Sequence, residues 1–240
     1  QWSFFALFTM IQFGCLFEYQ KLMRIIVPIY AAITKFHQWG VIVIGLFATV
    51  ALAALPFAYK GVSLTTYATY SIIVVAVIIL LVELVSKKIN LKALMVSAVG
   101  IIYISVGLSL IFPLRAIMSN SFIGDIGYTI PLILIVTIWI NDTAAYLVGS
   151  LIGRRPLSPI SPNKTWEGTI AGILISVLLV TKIMGQYIPL NERSIFLISM
   201  VAAIAGTFGD LLESKLKRLA GVKDSGTMMP GHGGFLDRFD

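Results

Sequence analysis

Ionisable side chains are scarce in this chain, and they crowd towards its end. The stretch Asp210 to Asp240, DLLESKLKRLAGVKDSGTMMPGHGGFLDRFD, holds five of the eleven acids, five of the eighteen bases and one of the two histidines. Charge in apolar surroundings is costly unless it is paired or used, so this concentration marks chemistry. Asp210, Glu213, Ser214 and Lys217 stand at i, i+3, i+4 and i+7, one stripe of a helix. Such a stripe suits a hard cation on carboxylate oxygen, with Lys217 reaching a phosphate. The alternative is ordinary i,i+4 pairing on a solvated helix end, which is the expectation for Lys215 and Arg218 as neighbours. Farther on, Gly221, Gly226, Gly231, Gly233 and Gly234 with Pro230 form a loop whose N–H groups would wrap phosphate oxygens. Asp237 and Asp240 follow at i,i+3 on what reads as a new helix start. Two carboxylates on one face, opposite Asp210, would make a Mg²⁺ site of the kind used with substrate phosphates. His232 stands alone between glycines, so it either orients a phosphate or fixes the loop; a zinc site would need further His or Cys ligands.

A second constellation lies upstream, in WINDTAAYLVGSLIGRRPLSPISPNKTWEG at 139–168. Asp142 falls well inside an apolar run, where an ionisable group is a functional candidate by default. The bland alternative is a buried Asp paired with a lysine from another helix. At helical spacing Asp142, Tyr146, Gly149 and Gly153 share a face, and Gly149–Gly153 is a GxxxG pair that allows close helix approach. The following loop combines Arg154, Arg155, Ser158, Ser161, Asn163 and Lys164 with three prolines. Cations and hydroxyls on a Pro-stiffened backbone suit a phosphate-rich ligand; taken alone they are also ordinary loop charge. A second GxxxG, Gly168–Gly172, follows Glu167 and packs the next span.

The elements that must position these groups are membrane helices. With 58% hydrophobic and 12% charged residues, the chain departs from soluble domains, which carry about 25% charged residues. The apolar runs are continuous, which excludes the alternating pattern of a β-barrel. The expected fold is all-α, a polytopic integral membrane protein with about seven spans near 2–18, 39–58, 64–85, 93–112, 128–151, 168–188 and 194–213. Residues 19–38 read as an interfacial helix or a short span. Fourteen of the eighteen Lys and Arg fall in the loops 19–38, 86–92, 152–167 and beyond 213, which places that side in the cytoplasm by the positive-inside rule. The net charge of +7 then reflects cytoplasmic loops and anionic headgroups, not nucleic acid. Cys15 alone excludes internal disulfides. Composition shifts once, near residue 139, separating a membrane-helix scaffold (1–138) from a catalytic membrane half (139–240) within one membrane domain. The chain opens on Gln1 inside an apolar run, without a basic leader, and stops at Asp240, so it reads as a fragment truncated at both ends.

Ser214-x-Leu216-Lys217-Arg218, then Lys223-Asp224, then Pro230-Gly231-His232-Gly233-Gly234-Phe235-x-Asp237-Arg238-x-Asp240 closely resembles the signature of phosphatidate cytidylyltransferases, the CDP-diacylglycerol synthases. The Asp142 segment and Ser161-Pro162-Asn163-Lys164-Thr165-Trp166-Glu167-Gly168 resemble that family's other shared segment. Met229, where a branched aliphatic or Phe is more usual, is a conservative departure. The resemblance covers 139–240 by motif and the remainder by hydropathy. It implies a nucleotidyltransferase of phospholipid biosynthesis, a homodimer in a bacterial inner or plasma membrane with its site facing the cytoplasm, that uses CTP and phosphatidate. It also implies Mg²⁺, with K⁺ as a companion, on carboxylates matching Asp210 and Asp237, with Asp224 and Asp240 as further ligands. Asp142, Lys164, Asp210, Lys217 and Asp237 would carry the reaction. Asn163, Ser214, Arg218, Lys223, His232, Gly233, Gly234 and Arg238 would bind substrate. The rivals are a CTP-dependent polyprenol or lipid kinase, which would release CDP, and an ion-coupled transporter, which the crowding of polar groups into one half disfavours.

Overall fold

A computed structural model describes residues 2–53, 58–59, 61–86, 90–117, 126–226 and 233–239. The chain folds as two compact units, one formed by 1–113 with 219–239 and the other by 114–218.

The first unit opens with α1 (Trp2–Ile26), a short α2 (Pro28–Ala31) and α3 (Lys35–Ala53). Pro28 starts α2 at a position whose N–H would be unpaired anyway. Residues 19–38 are therefore the end of α1, the short α2 and the start of α3, and form no span of their own. A small antiparallel hairpin, β1 (Ala58–Tyr59) and β2 (Val62–Ser63), leads into α4 (Leu64–Val85). Ser63 caps α4 by accepting the Thr66 N–H at 3.2 Å. Asn90 does the same for α5 (Leu91–Gly100), accepting from Lys92 and Ala93. A π-helical turn (Ile101–Val106), α6 (Gly107–Ser109) and α7 (Ile111–Ile117) continue that rod.

Large apolar side chains of α4, among them Ile73, Val74, Val77, Leu81 and Leu84, are exposed; on a membrane helix this is the lipid face. Several polar side chains turn inward and bond one another. Buried Thr49 donates its hydroxyl to Gln12 and accepts from Ser109 at 2.8 Å. Buried His37 bridges Glu83, on one ring nitrogen, and Ser97, 2.7 Å from the other.

The second unit holds α8 (Thr129–Ile152), a hairpin of β3 (Pro156–Ser158) and β4 (Ser161–Thr165), α9 (Trp166–Tyr187) and most of α10 (Glu192–Leu219). Both GxxxG pairs sit in the α8–α9 contact. A Cβ on Gly172 would strike the Asn141 carbonyl at 2.7 Å, and one on Gly168 the Ala145 carbonyl and the Gly149 backbone. Glycine alone lets the two backbones touch. At the opposite end Ile133, Val180, Ile188 and Ile195 close an apolar cluster. The stretch expected as a Pro-stiffened loop is an antiparallel hairpin, with Pro156 opposite Thr165 and Ser158 opposite Ser161.

Among the described residues, six helical stretches are long and apolar enough to cross a membrane: α3, α4, the α5–α7 rod, α8, α9 and α10. With the 25-residue α1, this is the all-α polytopic architecture expected. At 28 residues, α10 is about 42 Å long, more than the roughly 30 Å of a hydrocarbon core, so one of its ends projects into the polar zone.

Candidate active site

The second unit holds a cleft of about 360 Å³ between α8, the β3–β4 hairpin and α10. The hairpin is aimed by two capping contacts. Thr165 accepts the Gly168 N–H at 3.2 Å and starts α9. Glu167, in the first turn of α9, accepts the backbone N–H groups of Arg154 and Arg155 at 3.2 and 3.3 Å. The strand so held presents Asn163 and Lys164 to the cleft.

Across from it, the Lys164 ammonium pairs with the Asp210 carboxylate of α10. Ser214, one turn on, donates to Asp210 Oδ1 at 3.3 Å. From α8 come Asp142, Tyr146 and Asn141. Asp142 therefore lies in the same cleft as the Lys164–Asp210 pair, a choice that spacing alone leaves open. Asn141 Nδ2 donates weakly to Asp142 and to Thr207, both at 3.4 Å, while its Oδ1 is buried with no hydrogen-bond partner. Among the described residues, two carboxylates and one ammonium line the cleft.

These donors fit a hard divalent cation. Asp142, Asp210 and the orphaned Asn141 carbonyl are all oxygen ligands, and Mg²⁺ takes few protein ligands, completing its shell with water and substrate phosphate. No cluster of three or more His, Cys, Asp or Glu occurs among the described residues.

Farther along α10, Lys217 lies 2.7 Å from Glu213, whose side chain is 1% exposed. The stripe Asp210, Glu213, Ser214, Lys217 thus splits into two pairs. Lys215 and Arg218 face solvent.

The remaining expected residues belong to the first unit. Lys223 and Asp224 are exposed and Ser225 is buried. Asp237 sits in one hydrogen-bonded turn closed by Phe239 N–H to the Phe235 carbonyl at 3.2 Å. Its Oδ2 accepts the N–H of Gly234 at 2.7 Å and of Ser225 at 2.9 Å. Gly233 adopts φ +85°, a left-handed conformation that strains any other residue. Arg238 is exposed. His232 and Asp240, with Gly231 and Pro230, lie outside the described residues.

The charge pattern passes over three contributors. Asn141 bonds neighbouring side chains and Glu167 backbone N–H groups, and neither carries a spacing signal of its own. Glu18 carries one: it is an acid within an apolar run, as Asp142 is. It is 3% exposed and accepts the N–H groups of Phe235 and Leu236 at 3.0 and 2.9 Å.

The sequence pattern of the Cytidylyltransferase family matches residues 1–240. The chain is 50% identical over 106 residues to a protein of Staphylococcus epidermidis named phosphatidate cytidylyltransferase, a match covering 43% of this chain and 40% of that one. A Bacillus subtilis protein of the same name is 49% identical over 108 residues, covering 44% and 40%. The chloroplastic phosphatidate cytidylyltransferase 4 of Arabidopsis thaliana is 48% identical over 102 residues, covering 42% and 26%. The matched stretch is thus less than half the length of each relative.

Proposed function

The chain belongs to the cytidylyltransferase family, and from that premise we propose that it transfers the cytidylyl group of CTP to phosphatidate, giving CDP-diacylglycerol and pyrophosphate. The observation that carries this reading is the Lys164–Asp210 pair in a cleft shared with Asp142. Such a cleft suits a metal–polyphosphate ligand, with carboxylates for the cation and an ammonium for the phosphates.

The phosphate oxygen of phosphatidate is an anionic nucleophile near neutral pH. It attacks the α-phosphorus of CTP, and the bond from that phosphorus to the bridging oxygen of the β-phosphate breaks. No protein base is required; the barrier is the approach of one anion to another. Positioning and charge neutralisation therefore do most of the work. Lys164 and Lys217 neutralise the triphosphate and the departing pyrophosphate; the resemblance gives Arg238 a substrate-binding role as well. Asn163 and Ser214 hold phosphate oxygens by hydrogen bonds. Asp142 and Asp210, with the Asn141 carbonyl, would hold Mg²⁺, whose contribution is to neutralise and orient phosphate oxygens; Asp237 is a working carboxylate on the resemblance alone.

The site faces the cytoplasm of a bacterial inner or plasma membrane in this reading, where CTP is available and lipid enters from the adjoining leaflet. Two observations support it. The basic loops lie on one side by the charge tally. The bonds from Glu18 of α1 to Ser225 and Phe235 require the end of that helix and the loop after α10 to share a membrane face. The working form is a homodimer, testable by the mass of the detergent-extracted protein.

The test is incubation of membranes containing the full-length protein with labelled CTP, phosphatidate and Mg²⁺. CDP-diacylglycerol and pyrophosphate are the expected products. Release of CDP with a phosphorylated lipid alcohol would replace this reading with a kinase.

A further inference from the structure

Glu18 is buried on α1, yet three hydrogen bonds reach its carboxylate from the segment after α10. Ser225 Oγ donates to Oε2 at 2.7 Å, Phe235 N–H to Oε1 at 3.0 Å and Leu236 N–H to Oε2 at 2.9 Å. Phe235 and Leu236 are themselves buried, so without Glu18 two backbone donors would stand unsatisfied away from water. Ser225 faces a second carboxylate as well. Its hydroxyl is 3.0 Å from Asp237 Oδ2, and its N–H donates to the same oxygen at 2.9 Å. One serine thus stands between Glu18 and Asp237.

The local glycines follow from the same arrangement. A Cβ on Gly226 or on Gly234 would collide with the Glu18 carboxylate. On the α1 side, a Cβ on Gly14 would strike the Phe235 ring at 2.5 Å. Glycine is needed at 226 and 234 for a protein carboxylate to reach the loop, whatever the loop binds. A buried acid that three donors converge on, with space cleared around it, is a built contact; a charge merely tolerated in a membrane helix would have neither.

We infer that Glu18 is the positioning residue for the Asp237 carboxylate. It clamps the Phe235–Arg238 turn through two backbone N–H groups and, through Ser225, fixes how Asp237 is presented. The functional half of this inference rests on the reading of Asp237 as a working carboxylate of cytidylyl transfer; the clamp does not.

The experiment uses the full-length protein in detergent and compares Glu18→Gln, Ser225→Ala and Asp237→Asn. Glu18→Gln keeps size and shape, but its amide NH₂ opposes a donor where an oxygen accepted one. Two quantities are read: the Mg²⁺ concentration giving half-maximal turnover, and the rate of tryptic cleavage after the exposed Lys223 and Arg238 without substrate or metal. For Glu18→Gln the Mg²⁺ midpoint should rise about 10-fold or more, as for other residues that orient ligand carboxylates, with much of the turnover recovered at saturating Mg²⁺. Cleavage should be several-fold faster. A global anchor would lower turnover at every Mg²⁺ concentration instead. Ser225→Ala should shift the midpoint in the same direction by less, and it decides the matter if Glu18→Gln fails to fold. Unchanged midpoint and cleavage in Glu18→Gln, or in Ser225→Ala as the deciding variant, beside an inactive Asp237→Asn, would overturn the inference. Wild-type turnover in Asp237→Asn would instead overturn the role given to Asp237, and the clamp would then stand or fall on the cleavage rates.

Discussion

Lys164 of the β3–β4 hairpin and Asp210 of α10 close an ion pair across the cleft that also takes in Asp142. Their side chains are 29% and 30% exposed, and a partly hydrated pair of this kind adds only about 0–1 kcal/mol to stability. Replacing either residue should therefore leave the fold standing and act on the reaction. We expect Asp210→Asn to abolish CDP-diacylglycerol formation and Lys164→Ala to lower turnover by about 10²–10³-fold, the scale of losing one charge-stabilising group. Labelled-CTP assays beside thermal melts check this. Wild-type turnover in Asp210→Asn would remove the metal assignment.

Metal withdrawal provides an independent reading of the same carboxylates. Chelation should abolish turnover in the wild type, and Mg²⁺ should restore it. Asp142→Asn should need more Mg²⁺ for the same rate, because one of the cleft's two carboxylates becomes neutral. A Mg²⁺ titration of both proteins decides it; identical curves would take Asp142 away from the metal.

Gly168 and Gly172 hold α9 against the α8 backbone, with no space for a Cβ at either position. Gly172→Val forces the helices apart and should cost about 1–3 kcal/mol by overpacking, seen as a lower melting temperature in detergent. Gly107, which has nothing within 4 Å of a built Cβ, is the control position: Gly107→Ala should melt near wild type.

Much of this architecture can be read from residue order, for identifiable reasons. Runs of about 20 apolar residues announce α4, α8, α9 and α10, because a lipid-spanning backbone has no other way to satisfy itself. The two GxxxG pairs announce the α8–α9 contact. The β3–β4 hairpin leaves no comparable trace: Pro, Ser and Asn give no alternation, and its pairing depends on Glu167 and Thr165 acting on backbone N–H groups. The full length of α1 is also hidden, because Lys21 and Arg24 look like the start of a loop. Glu18 in fact points inward to a partner 207 residues away, a distance that no local pattern encodes. Asp142, Lys164 and Asp210 are visible as candidates from charge in apolar surroundings, but only the packing of the second unit brings them to one cleft.

His37 and Glu83 form a buried pair, each side chain 1% exposed, with Ser97 on the other ring nitrogen at 2.7 Å. His37→Ala would strand a carboxylate in the interior and should cost about 3–5 kcal/mol. His37→Phe with Glu83→Leu removes both polar groups and should recover most of that loss. Melting curves of the single and double variants test this. A double variant as unstable as His37→Ala would show that stability there depends on the hydrogen-bond network, not on avoiding an unpaired charge.

Lys217 serves two purposes that can be separated. Its ammonium lies 2.7 Å from Glu213, which is buried to 1% exposure, so Lys217→Ala removes both a charged partner of that carboxylate and a phosphate-neutralising charge. We expect a lower melting temperature together with a raised KM for CTP and a smaller change in kcat. Lys217→Met combined with Glu213→Leu removes both partners and refills the space with apolar atoms, so the stability should return. The KM for CTP should stay raised, because the Lys217 cation that meets the nucleotide is gone. If KM recovers along with stability, Lys217 is a partner for Glu213 and nothing more.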